Sequence, residues 1–175
     1  MGFRKEVGEF AGLLRTTAND VQRISTDLKP HGLEILGLVS ALRAVVAEFA
    51  ERMGISIEVS CDTKIARLPG RTELAIYRVL QEALRNVEQH ARARHVTVTL
   101  KRRGAVVQLT IQDDGIGFDA SDRLAKGMQE GRFGLLSMRE RANAVGGVLK
   151  VNSTSSAGTQ VRLNVPLQPN PATAP

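Results

Sequence analysis

Three polar residues spaced by four, Glu82, Asn86 and His90, interrupt an otherwise apolar helical pattern. On an α-helix, positions i, i+4 and i+8 lie nearly above one another, drifting by about 40° per step. One edge of such a helix would carry a carboxylate, an amide and an imidazole. The amide oxygen of Asn86 is a hard ligand of the kind Mg2+ takes alongside waters and phosphate oxygens. Glu82, one turn earlier, can hold a metal-bound water or accept a proton. The same triplet also reads as a solvated helix face.

A second constellation, Asp113-Asp114-Gly115-Ile116-Gly117, follows the strand-like run Val106 to Ile111. At the end of a strand, the Asp113 carboxylate can accept a hydrogen bond from an exocyclic amine such as adenine N6. Gly115 and Gly117 let backbone approach a flat ring with no Cβ in between. A plain hairpin or a calcium-like loop competes with this reading, although the sequence does not continue as an EF-hand. Further on, Gly131 and Gly134-Leu135 open a helical stretch. Exposed N–H groups and a positive helix end suit phosphate there, and an ordinary loop-to-helix junction has the same appearance. Finally, Gly158-Thr159 opens the last strand, where the Thr159 hydroxyl could close a pocket floor; taken alone it is a turn.

These residues need elements to position them. Val7, Phe10, Leu14, Thr17, Val21, Ile24 and Leu28 alternate spacings of three and four, the seam of a coiled coil or bundle. Such a seam must meet a second copy, another helix or the domain that follows. Lys29-Pro30-His31-Gly32 breaks it. A second helix carries Leu38, Ala41, Leu42, Val45, Val46 and Phe49, and Ile55 to Val59 alternates as a strand. After the Pro69-Gly70 turn, Thr72 is placed to cap a helix reaching Ala91, with Leu74, Tyr77, Leu80, Leu84 and Val87 on its buried face. Val96 to Leu100 and Ala105 to Ile111 form a hairpin. Asp119 to Arg132 lacks periodicity and reads as a mobile loop. Leu135 to Val145 is helical, and Val148 to Asn152 and Thr159 to Val165 are strands.

At 175 residues and 42% hydrophobic, the chain has material for one core and an appendage. Aromatics are 3% with no Trp, which leaves little for a base-stacking nucleic-acid platform. The net charge of +6 comes from basic residues scattered among acids, a solvated surface in preference to a polyanion site. One cysteine, Cys61, excludes an internal disulfide and a cysteine-based zinc cluster, and is read as half-buried. No apolar run approaches the ~20 residues that span a bilayer, and the start lacks the apolar core of a signal peptide. The expectation is a soluble, cytoplasmic chain, which is compatible with a membrane-attached parent.

The order and spacing of these segments are specific. Gln81-Glu82-Ala83-Leu84-Arg85-Asn86 with His90-Ala91, Asp113 to Phe118, Phe133-Gly134-Leu135 with Met138-Arg139-Glu140-Arg141, and Gly158-Thr159 resemble the ATP-binding domain of sensor histidine kinases, of the GHKL fold. The most similar branch is the one paired with LuxR-type response regulators, and the resemblance runs from about Leu28 to Pro166. It implies an α+β fold, a two-layer sandwich with an N-terminal bundle helix. Residues 1–30 would be the second helix of a dimerisation and phosphoacceptor bundle, 31–167 the ATP-binding catalytic domain and 168–175 a disordered tail.

By the resemblance, ATP and Mg2+ bind between helices and a lid at 119–131. Asn86 takes the metal, His90 belongs to the pocket, and Asp113 takes the adenine amine. Gly115 and Gly117 form the base-side turn, Gly131, Gly134 and Leu135 lie at the lid and its hinge, and Thr159 lies at the floor. Glu82 would be catalytic or would order the metal shell. The implied activity is transfer of the γ-phosphoryl group to a histidine outside this chain and thence to a response regulator, in a homodimer built through the N-terminal helix. His31, between Pro30 and Gly32, is poorly placed for in-line attack, and His95 is read as structural. Gln89 stands where the family often has Lys or Arg, which leaves a catalytically degenerate ATP-binding module as the rival reading. A serine kinase of the anti-sigma-factor type is disfavoured by the amino-terminal heptads.

Overall fold

The computed structural model describes residues 31–62, 65–118 and 134–167. The heptad helix, the lid with Gly131 and the carboxy-terminal tail expected from the sequence lie outside the described residues. The described elements run in the order α1 (His31–Met53), β1 (Ser56–Cys61), α2 (Gly70–Asn86) continuing into a π-helical turn (Val87–Ala91), β2 (His95–Arg103), β3 (Val106–Asp113), α3 (Gly134–Asn143), β4 (Val148–Ser153) and β5 (Thr159–Pro166). The strands form one sheet in the order β1-β2-β3-β5-β4. Only β1–β2 is parallel; the other pairs are antiparallel.

Period-two alternation gives the sheet two unlike faces. Val96, Val98 and Leu100 of β2 oppose Asp113, Ile111 and Leu109 of β3, which oppose Thr159, Val161 and Leu163 of β5. These rows continue through Leu149, Val151 and Ser153 of β4. All three helices bury their apolar residues against this face, making one core. The opposite face is polar, with Gln108 donating to Asn164, Gln160 to Gln112 and Arg162 to Gln160 at 2.8–3.0 Å. The result is the expected two-layer sandwich.

Helix α2 is buried beyond its expected stripe, with Ala75, Ile76, Val79 and Ala83 joining Tyr77, Leu80 and Leu84, because α1 and α3 flank it while the sheet lies beneath. Its start differs from the sequence reading. Pro69 holds the N-cap position, and its carbonyl accepts from Thr72 N and Glu73 N at 2.8 and 3.1 Å. Thr72 therefore lies inside the helix and does not cap it. The helical geometry also changes before Ala91: the last five residues widen into a π turn, and Arg92 ends it in the left-handed region at φ 52°.

Glu73 is a carboxylate with only 2% of its surface exposed. It accepts from Leu68 N at 3.2 Å and from Arg67 Nη1 at 3.3 Å. The same guanidinium donates to the Leu33 and Glu34 carbonyls. Those carbonyls end the first turn of α1, which is broken at Gly37 (φ 79°, ψ 172°), a conformation open to glycine and costly for other residues. Arg67 thus joins the start of α1 to the start of α2. Arg67→Ala leaves the buried carboxylate with only its Leu68 N–H bond and is expected to cost about 1–3 kcal/mol. Adding Glu73→Gln should recover much of that loss, and urea denaturation of the two single variants and the double variant measures the coupling.

Candidate functional site

The inner face of the sheet turns polar at a single cross-strand row, where Asp113, Thr159 and Ser153 stand side by side on β3, β5 and β4. Asp113 is 6% exposed. Its Oδ1 accepts from Gly115 N at 2.9 Å and Thr159 N at 3.3 Å, which leaves Oδ2 as the available acceptor. Burial pushes the Asp113 carboxyl above its ordinary range; the two N–H bonds oppose that shift, and the Asp114 charge adds to it. A buried acid that is costly to ionise, at the end of an apolar face, is a candidate functional residue.

The glycine turn that follows is fastened to the end of α2. Ile116 N donates to the Ala91 carbonyl at 2.8 Å, and Asp114 N donates to the His95 carbonyl at 3.2 Å. Asp114 Oδ1 in return accepts from Arg94 N and His95 N at 2.8 and 2.9 Å. These bonds lower the Asp114 carboxyl's pKa. A Cβ at Gly115 would collide with the Ala91 backbone, and one at Gly117 (φ 58°) with the Thr154 carbonyl. Both glycines are therefore required for backbone-to-backbone packing inside the protein. The room they were expected to leave for a flat ring is not on their Cβ side.

On α2, Glu82 and Asn86 are half-buried, while His90 is exposed on the π turn. A π turn takes more than four residues, so His90 falls short of the position above Asn86 that a straight helix would give it. The first two converge on the start of α3. A Cβ at Gly134 would meet Glu82 Oε1, and Asn86 Oδ1 lies 3.6 Å from the same point. Leu135, next in α3, is half-buried and packs against the core. The structure thus gathers Glu82, Asn86 and Gly134 at one point and Asp113 and Thr159 at another, and the Ile116–Ala91 hydrogen bond ties the turn after Asp113 to the end of the helix that carries Glu82 and Asn86.

Two residues of this region were missed in the sequence. Asp114 fixes the connector before β2. Ser153 Oγ donates to the Gly158 carbonyl at 2.9 Å, accepts from Phe118 N at 2.9 Å and lies 3.0 Å from Thr159 Oγ1. The alternation Leu149, Val151, Ser153 was a sufficient signal for an inward Ser153.

The family model described as histidine kinase-, DNA gyrase B- and HSP90-like ATPase matches residues 71–169, and the chain belongs to this family. Over 163 residues it is 33% identical to the signal transduction histidine-protein kinase/phosphatase DegS of Brevibacillus brevis, covering 93% of this chain and 41% of that protein. It is 38% identical over 159 residues to the sensor histidine kinase MctS of Rhizobium johnstonii, covering 90% of this chain and 33% of that protein. The chain thus spans less than half the length of these curated relatives. Among solved structures, the histidine kinase domain of the Erythrobacter litoralis EL346 blue-light activated histidine kinase superposes with a TM-score of 0.63 at 25% identity, over 74% of this chain and 61% of that one. The Acinetobacter baumannii histidine kinase AdeS has a TM-score of 0.62 at 13% identity, over 91% of this chain and 84% of that one, a likeness of fold alone. Among the described residues, no helix is long and apolar enough to cross a membrane.

The two aspartates should respond to pH in opposite senses. Asp113 has a raised folded pKa, so its ionisation costs stability as pH rises from the unfolded value near ~3.9 through the folded one. Asp113→Asn keeps the Oδ1 acceptor and is expected to raise the thermal midpoint of the ligand-free protein at neutral pH, with no gain below about pH 4. Asp114 has a lowered folded pKa, so its contribution is present above the unfolded value and is lost as pH falls through the folded one. Asp114→Asn should lower the neutral-pH midpoint and flatten the acid limb. Thermal melts between about pH 3 and 8 check both signs.

Proposed function

We propose that this chain is the ATP-binding catalytic portion of a two-component sensor histidine kinase. In this reading it passes the γ-phosphoryl group of ATP to a histidine outside the chain and thence to a response regulator of the LuxR type. The observation that carries the reading is the docking of the glycine turn after Asp113 on Ala91, at the end of the helix whose Glu82 and Asn86 oxygens gather at Gly134, with Asp113 Oδ2 left as an acceptor. A base held by its amine at Asp113 would direct its phosphates toward the start of α3, where the Gly134 and Leu135 N–H groups belong to a helix N-terminus.

Two oxygen donors beside the bare face of Gly134 fit a cation whose other ligands are water and phosphate oxygens. Asn86 would ligate Mg2+ directly and Glu82 through a water. When bound, the metal supplies charge neutralisation for the transferred group. The protein's own share is positioning: Asp113 and Thr159 fix the base, α2 sets the distance to the phosphates, and the core keeps both rigid. The terminal P–O bond of ATP breaks, a bond forms from phosphorus to the incoming imidazole nitrogen, and ADP leaves with the electron pair. His90 would stand at the rim, and the 119–131 segment would be the lid. The homodimer through residues 1–30, the cytoplasmic setting and the phosphorelay belong to the same proposal. It is supported by the resemblance of sequence and by the histidine-kinase names of the relatives.

Calorimetric titration with a non-hydrolysable ATP analogue tests the site. Asp113→Asn and Asn86→Ala should each weaken binding by at least about tenfold, roughly 1.4 kcal/mol, and only Asn86→Ala should also blunt the Mg2+ dependence. Adding a helical hairpin that bears the acceptor histidine should yield acid-labile phosphate on the hairpin. Nucleotide binding without any transfer would favour the degenerate module.

A further inference from the structure

The hydroxyl of Ser153 has one proton and two acceptor directions, and the structure accounts for all three. The Gly158 carbonyl, 2.9 Å away, can only accept, so it takes the Ser153 proton. Phe118 N–H, also at 2.9 Å, occupies one acceptor direction. Thr159 Oγ1 lies 3.0 Å from Ser153 Oγ. Because the Ser153 proton is already committed, Thr159 must be the donor in that pair. The Thr159 hydroxyl therefore spends its only proton on Ser153 and offers lone pairs elsewhere. Its row neighbour Asp113 has Oδ1 engaged by Gly115 N and Thr159 N and presents Oδ2, which when ionised is also an acceptor.

We propose that Ser153, at the end of β4, is a specificity-determining positioning residue that fixes the hydrogen-bond polarity of the base-binding floor. With Thr159 held as an acceptor beside Asp113, the floor favours a purine carrying an amine at position 6 and rejects one carrying a carbonyl there. Two acceptors can satisfy an N–H-bearing group, whereas a carbonyl oxygen would face two lone-pair-bearing oxygens with no proton between them. Ser153 touches neither base nor phosphate in this arrangement. It acts through Thr159, and the glycine at 158 keeps its carbonyl beside Ser153. The inference rests on the proposed nucleotide site and extends it to discrimination between bases.

The experiment measures Kd for non-hydrolysable analogues of ATP and of inosine triphosphate, with Mg2+, on the full chain. Ser153→Ala releases the Thr159 proton to turn toward a 6-carbonyl, so the ratio of inosine to adenine Kd should fall by about tenfold or more. Ser153→Thr, which keeps the hydroxyl, should restore the native ratio. A purely structural role for Ser153 would weaken both nucleotides alike and leave the ratio unchanged, and that result overturns the proposal. Thr159→Val, which removes the acceptor without touching Ser153, should also lower the ratio. If Ser153→Ala does not fold, an unchanged ratio in Thr159→Val overturns the proposal on its own. If the native chain binds neither analogue, the nucleotide reading itself fails; if it binds ATP with an unaltered ratio in the variants, only the role of Ser153 fails.

Discussion

The hydrogen bond from Ile116 N–H to the Ala91 carbonyl joins two parts of the chain that carry different chemistry. On one side of it lies α2, with Glu82 and Asn86; on the other lies the strand end with Asp113. The proposed nucleotide site needs both sets. The bond is possible because α2 relaxes into a π turn and Arg92 then takes a left-handed conformation, which turns the Ala91 carbonyl away from a regular helical ladder. It is short because Gly115 lets two backbones meet where any Cβ would overlap Ala91. Asp114 closes the same junction from the other direction by accepting from Arg94 and His95. The spacing between Asp113 and the end of α2 is thereby set by bonds to backbone groups.

The sheet contributes the second constraint. Three cross-strand rows of its inner face are apolar and drive the packing of three helices; the fourth holds Asp113, Thr159 and Ser153. Placing that row at the edge of the core excludes water from Asp113 without leaving it unbonded. The desolvation that raises its pKa is the same property that makes an amine donor from a ligand valuable there. The fold carries a local cost at Asp113 in the free state.

Much of this was readable in the residues. Strand alternation identified all five strands, four of them to within two residues and β2 ending three residues early, and helical spacing identified the buried faces of α1 and α2, because burial on one face leaves a periodic trace. Asp113 was legible as a strand-terminal acid before a glycine turn. Other features leave no such trace. Glu73 sits one turn before Tyr77 on the buried face, and its partner Arg67 lies in an irregular segment, so nothing periodic links them. The π turn is invisible to a 3.6-residue template, and with it the displacement of His90. Thr72 looked like a cap because its residue type suits one, while Pro69 fills that position through its fixed φ. Ser153 lies one step beyond the Val148–Asn152 strand read from the sequence, and that further step of alternation turns it inward.

A structure of the chain with a Mg2+-bound, non-hydrolysable ATP analogue tests the central claim most directly. The account requires the purine amine within hydrogen-bonding distance of Asp113 Oδ2, with the metal on Asn86 Oδ1 and the phosphates beside Gly134, while the Ile116–Ala91 hydrogen bond stays intact. A nucleotide bound elsewhere, or an Asp113 carboxylate turned away from the base, would contradict it.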